Sequence, residues 1–398
     1  MELTSEQLLA AGGDASEDAG LGITGVLVPI GGPSAPVKPA IYAGRHYQIE
    51  RRWWDAAGAL EPTDVVIIDN VPSQANRLEA ALEALRSQLG IPEMVLDLTE
   101  VGPLPADVPR QLSSFRFPHR QADAYLRDAV IDGSPFLRTP IGAQLLAATA
   151  DRADGLLAWF PQALLFGFWH SHLGRKRTHA KLARSWVSEI VGYAPAGVDT
   201  RQLALKGDPL NLSVDEQVQY DDDDLLAGWE LSEGSKKTGG GKKKESLAGI
   251  GHGQVPVSDS DAALAAVSFR SIEQHATVSF AGLRRVRAGS PEASAAARAM
   301  LVALGLVAHV AAFGRPFTLR SGCDLRPYAP RWVWHGREDD VEVAVPSLDE
   351  AISVFEACVA RAEAAGLPVG SAWPRDPIVL QPNAELIKAI RSTYPLAD

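Results

Sequence analysis

The chain has little cysteine: Cys323 and Cys358 are the only two in 398 residues, too few for a disulfide framework or a four-thiolate metal site. It lacks an uninterrupted apolar run long enough to cross a bilayer; LLAWFPQALLFGFW at 156–169 is too short and carries Pro161. The opening MELTSEQLLAAGGDASEDAG is acidic, without the basic-then-apolar order of a secretion signal. A reducing cytoplasm is therefore the simplest expected compartment, with no membrane partner. Motifs of common enzyme chemistry are missing as well. Neither G-x-S-x-G nor H-E-x-x-H occurs, so neither a nucleophile elbow nor a zincin helix is indicated. SKKTGGGKKKES at 235–246 has glycines and lysines but not the order G-x-x-x-x-G-K-[ST], and no apolar strand leads into it. Positive charge is in deficit, with formal net charge −11 and a pI near 5.4.

Against that deficit stands GFWHSHLGRKRTHAKLARS at 167–185, which holds Arg175, Lys176, Arg177, Lys181 and Arg184 and no acid. Three readings compete. A metal site could use His170, His172 and His179, but no carboxylate or cysteine completes the shell and the neighbouring cations repel a divalent ion. A solvated face ordinarily mixes both signs. A grip on phosphate explains the cations directly, through sequence-independent and salt-sensitive affinity. Trp169 and Trp186 add flat surface on which unpaired bases stack, while Phe166 and Phe168, inside an apolar run, read as core. The other basic clusters are at 44–52, 236–244 and 284–287, whereas acids gather at 1–20, 221–224 and 337–350. That segregation fits one basic groove on an acidic remainder. DDDD at 221–224 reads as a self-repelling solvated run rather than a magnesium site.

Two further pieces suit the same ligand. In NVPSQANRLEAALEAL (70–85), Ala75, Leu78, Leu82, Leu85 and Leu89 form the buried stripe of a helix over 72–89. Gln74, Asn76 and Arg77 lie at its start, where free N–H groups favour a phosphate, and Ser73 is the expected N-cap. SSFRFPHRQAD (113–123) clusters Arg116, His119 and Arg120 before an expected helix at 119–130.

Elsewhere the chain alternates strand and helix. GITGVLVPI, IYAGRHYQIE, VVIID (65–69) and MVLDL (94–98) read as strands, and 65–98 as a β-α-β unit. Helices are expected at 140–152, opened by Thr139 and Pro140, at 291–312 and at 348–365. Residues 1–22 read as a flexible leader and 23–398 as one domain. Within it, 197–255 is a polar, low-complexity insertion with too little apolar area to fold alone.

The blocks NVPSQANRLEAAL, SSFRFPHRQADAYLRDAVIDG, LLFGFWHSHLGRKRTHAKLARSWVSEIVGY, GIGHGQVPV, ATVSFAGLRRVR and LRSGCDL follow one another in an order that resembles a known family. It is the backbone subunit ("Cas seven" type) of the type I-U, or I-G, CRISPR surveillance complex, in the RAMP superfamily. The resemblance spans roughly residues 40–330. It implies an α+β fold: a modified RRM or ferredoxin-like RAMP core with large insertions, one of them a thumb-like excursion. It further implies a subunit that polymerises head to tail along the spacer of a CRISPR RNA and leaves bases free to pair with target DNA. The implied partners are copies of itself, a large subunit and a fused five/six-type subunit, with no catalysis, cofactor or metal. In that setting Arg175, Lys176, Arg177, Lys181 and Arg184 would contact phosphates, and Gln74, Asn76 and Arg77 would hold the strand. Arg45, Arg116, His119, Arg120 and Arg270 are further candidates. The rival is a metal-dependent RNA endonuclease of the type III kind, cutting with Asp69 or with 221–224; a metabolic α/β enzyme is a third reading.

Overall fold

A computed structural model of the chain describes residues 1–55, 58–170, 181–201, 209–210, 212, 217–221, 228–231, 242–247, 249–252 and 263–394. The chain divides into two units, one of Met1–Ala196 and Ser268–Pro395, the other chiefly of Gly197–Val267.

The first unit is built on an antiparallel sheet of eight strands. These are β1 (Gly20–Pro29), β2 (Ile49–Asp55), β3 (Leu60–Asp69), β4 (Trp186–Pro195), β5 (Phe269–Ser279), β6 (Phe317–Arg320), β7 (Cys323–His335) and β8 (Asp340–Val343). Their order is β6-β7-β1-β5-β4-β3-β2, with β8 paired to β7. The middle four, β7-β1-β5-β4, are the 4-1-3-2 arrangement of a β-α-β-β-α-β fold. Helix α2 (Val71–Leu89) lies on the connection from β1 to β4, and α3 (Pro291–Phe313) on that from β5 to β7. The expected α+β, ferredoxin-like class is therefore present, with β2, β3, β6 and β8 added. Arg320 on β6 donates to the Ile68 carbonyl (3.0 Å) and the Asp69 carboxylate (3.0 Å) at the end of β3. Four strands lie between β6 and β3 in the sheet, so this end is strongly coiled.

Helices cover one face. Leu21, Ile23, Trp186, Ala276, Val278 and Trp332 share a single core with Leu78, Leu82, Met300 and Leu304. Gly305 lets α3 approach the sheet, since a Cβ there would lie 2.4 Å from the Trp186 ring. Helix α3 is long and apolar enough to cross a bilayer by length and composition, yet 83% of its most apolar stretch is buried inside the protein. The opposite face carries a smaller cluster, Val65, Ile67, Val191 and Tyr193, packed by Trp54.

Several expectations change. Residues 1–22 are not a loose leader. Thr4 and Gln7 form a capping box for α1 (Ser5–Gly12), which buries Leu8 and Ala11, and Arg298 of α3 donates to the Gly12 carbonyl and to Asp14. The β-α-β reading of 65–98 fails because Met94–Asp97 joins a second sheet, running parallel to Ile378–Pro382. The expected helix at 119–130 shrinks to Ala124–Arg127, since Arg120 takes φ +55°. The insertion reading also changes. Among the described residues of the second unit, Gln217–Asp221 pairs with Trp229–Leu231 and with Lys242–Ser246, around Val218, Tyr220 and Leu247. Helix α4 (Leu348–Ala364) lies where sequence placed it.

Candidate nucleic-acid interface

The start of α2 is a buried polar knot rather than an open phosphate cradle. Asn70, not Ser73, caps the helix, accepting from the Ser73 N–H at 3.1 Å. Asp69, fully buried, accepts from the Ser73 hydroxyl (2.8 Å), the Gln74 amide (2.5 Å), Arg77 (2.9 Å) and Arg320 (3.0 Å). The Gln74 carbonyl accepts from Ser188 and Gln274. A carboxylate in this position demands such donors, because an unpaired buried charge is costly. Gln74 is thus a core residue without access to a ligand, and Arg77 is half-buried and spent on Asp69 and the Leu319 carbonyl. Asn76, one position outward, is exposed.

Arg120 is also internal. It clamps Glu79 of α2 with two bonds of 2.8 Å, donates to the Gly167 carbonyl at 2.9 Å, and is 5% exposed. Burial pushes the Glu79 carboxyl up to about 7, with Arg120 pulling the other way. This clamp explains the positive φ that breaks the expected helix, and its bond to Gly167 fixes the segment that follows. Gly167 itself has φ +74°, and a Cβ would sit 2.7 Å from the Leu182 carbonyl oxygen.

From Gly167 the chain enters a two-stranded ribbon, Phe168–Trp169 paired with Lys181–Leu182. Phe168 and Leu182 face the core, so by alternation their neighbours face out. Trp169 is 60% exposed and the Lys181 ammonium lies 6.0 Å from its ring centroid. Arg184 follows, exposed at the surface; partial desolvation, and then Arg120, lower its pKa. Arg116, 64% exposed, pairs with Glu83 of α2 at 2.9 Å, and His119 is exposed beside it. The structure thus gathers Asn76, Arg116, His119, Trp169, Lys181 and Arg184 around the α2–Arg120 clamp. Arg175, Lys176, Arg177, His172 and His179 lie outside the described residues. His170 is buried. Arg45 occupies the turn between Ile41–Tyr42 and His46–Tyr47 with φ +57°. In the cluster at 284–287, Arg284 is spent on the Ser16 and Asp18 carbonyls and Arg285 on Gly282 and Ala183.

A second surface was not anticipated. On the face of the sheet opposite α2 and α3, Trp54 stacks on Tyr193 (5.4 Å, 20°) and donates to Glu273 at 3.0 Å. Tyr193 meets His275 at 3.1 Å, Arg270 stands 5.9 Å from the Trp54 ring, and Arg52 bridges Glu50 and Glu189. Of these only Arg270 was foreseen. The signal for the rest was the period-2 alternation of QIERRWWD and RSIEQHATVS, which sends Glu50, Arg52 and Trp54, and Ser271, Glu273 and His275, to one face each.

The donor set around Asp69 suits an internal counter-charge and leaves its oxygens no open side for a metal. Asp221 ends a strand, and 222–224 lie outside the described residues. No cluster of three or more His, Cys, Asp or Glu able to hold a metal occurs among the described residues. Residues 21–195 match a protein family described as CRISPR-associated protein GSU0053, which bears out the CRISPR-associated resemblance over that stretch. The match takes in α2, the Arg120 clamp, the ribbon and β4. No curated protein matches the chain.

Proposed function

We propose that this chain, which carries a CRISPR-associated family signature over residues 21–195, is a non-catalytic backbone subunit of a type I-U (I-G) CRISPR ribonucleoprotein. It holds the guide RNA by its phosphates and leaves the bases free for target DNA. The observation that carries this reading is the ribbon of Phe168–Trp169 and Lys181–Leu182. It presents an exposed indole and a cation side by side, directly continuous with the basic tract at 175–177. An aromatic plane with adjacent cations is the minimal device for an unpaired strand: stacking for bases, charge for phosphates. Lys181, Arg184, Arg116 and the tract contact phosphate, and Asn76 and His119 border the path. The second unit, inserted between β4 and β5, supplies the thumb. Copies of the chain assemble head to tail in the cytoplasm, with the large and fused five/six-type subunits as further partners.

The test is binding of labelled single-stranded RNA by the full chain across a salt series. Wild type is expected to bind with a steep salt dependence. Lys181→Ala/Arg184→Ala weakens binding and flattens the slope of log K against log salt by about 0.7 for each phosphate that is no longer neutralised. Trp169→Ala weakens binding with the slope unchanged, because stacking releases no counterions. RNA binding unaltered in all these variants would sink the assignment of this surface. Incubation with magnesium and complementary RNA is expected to leave that RNA intact; regularly spaced cuts would favour the endonuclease instead.

A further inference from the structure

On the helix-covered face, between α2 and the last turns of α3, lies a cavity of about 660 Å³. It opens to the surface, and roughly 300–1,000 Å³ is the size of pockets that take small ligands. The floor is apolar, formed by Ile23 and Leu27 of β1, Trp332 of β7 and Phe313 of α3. Ala84 of α2 and Val345 stand on opposite lips.

Three features go beyond an apolar dent. His309 lines the cavity at 5% exposure, and its Nδ1 is buried without a hydrogen-bond partner. The ring is held among Trp186, Trp332 and Phe313 at 5.6–6.0 Å, and burial keeps it neutral, with its pKa pushed down to about 4. A buried polar nitrogen left unsatisfied costs free energy; this one is sealed from the cavity, which meets only the small exposed edge of the ring. At the rim Arg315 is exposed and forms no ion pair among the described residues. Among the described residues that line the cavity there is no aspartate or glutamate.

We propose that this cavity binds a small apolar anion of two-ring size. Its apolar body fills the floor and packs on the His309 ring, and its negative charge faces Arg315. The site lies on the helix-covered face and needs none of the residues assigned to RNA.

The test uses the full chain and two dyes that share their rings: 1-anilinonaphthalene-8-sulfonate, and N-phenyl-1-naphthylamine, which lacks the sulfonate. The native protein is expected to bind the sulfonate at one site, with enhanced and blue-shifted fluorescence. Ala84→Trp, at an exposed helix position on the mouth, weakens both dyes by about tenfold or more. Val345→Trp on the opposite lip does the same, so a folding defect in one variant leaves the other decisive. Arg315→Glu weakens the sulfonate by about fivefold and leaves the uncharged dye unchanged. Circular dichroism melts establish that each variant is folded. No binding by the native protein overturns the proposal. So does binding as tight in both tryptophan variants as in wild type, an adventitious additive only, or an equal effect of Arg315→Glu on the two dyes.

Discussion

Arg120 and Arg184 both feel the carboxylate of Glu79, and they are put to opposite uses. Arg120 is consumed by the fold, whereas Arg184 stays at the surface. Arg120→Ala therefore leaves Glu79 buried without its counter-charge and is expected to cost about 3–5 kcal/mol in urea unfolding. Glu79→Gln in that background should return part of the loss. If Arg120→Ala unfolds at the wild-type urea midpoint, the clamp is not structural. His309 gives a second prediction. Its folded pKa is depressed from 6.5 to about 4 by burial. Between those values the unfolded chain binds the extra proton, so this group's contribution is intact above pH 6.5 and is lost as pH falls toward 4. The loss amounts to about 3 kcal/mol. His309→Phe should flatten the acid limb of the stability-against-pH curve by that amount; parallel limbs in the two proteins would contradict it.

Elements read well from sequence where local pattern decided them. The leucine stripe of α2 and the Thr139 cap with Pro140 are local, and Pro140–Ala147 and α4 begin where expected. Partners chosen over long distances were not legible. Met94–Asp97 has a strand's composition, but only the chain near 378 decides which sheet takes it. Gln74 and Arg77 are polar residues off the apolar stripe, as a ligand contact would be. The buried Asp69 that claims them is itself an ordinary strand end in sequence. The basic tract was visible because charge composition is local, while the Trp54–Tyr193–His275 face needed three strands in register. The β4–β5 pair makes a further prediction. Pro195 pairs with Phe269 and the Ala196 N–H donates to the Ser268 carbonyl at 2.9 Å, so the ladder is complete without the insertion. Replacing 197–267 by a short Gly-containing turn is expected to preserve cooperative unfolding with a melting temperature close to wild type. A broad, non-cooperative melt would show that the sheet depends on it.

At the scale of the whole molecule, acids and cations are sorted along the chain, the acids at 1–20, 221–224 and 337–350 and the cations at 44–52, 175–184, 236–244 and 284–287. The helix-covered core is organised around α3, whose neighbours come from almost everywhere: α1, α2, β1, β4, β5, β7 and α4. That arrangement has a consequence for biosynthesis. A stretch of membrane-like hydropathy is hazardous on a nascent chain, where a targeting factor or a chaperone can seize it before it is covered. Here α1, β1, α2, β4 and β5 all precede α3 in the order of translation. Much of the surface that buries this helix has therefore already left the ribosome when it emerges, and only β7 and α4, which follow it in the chain, remain to complete the cover.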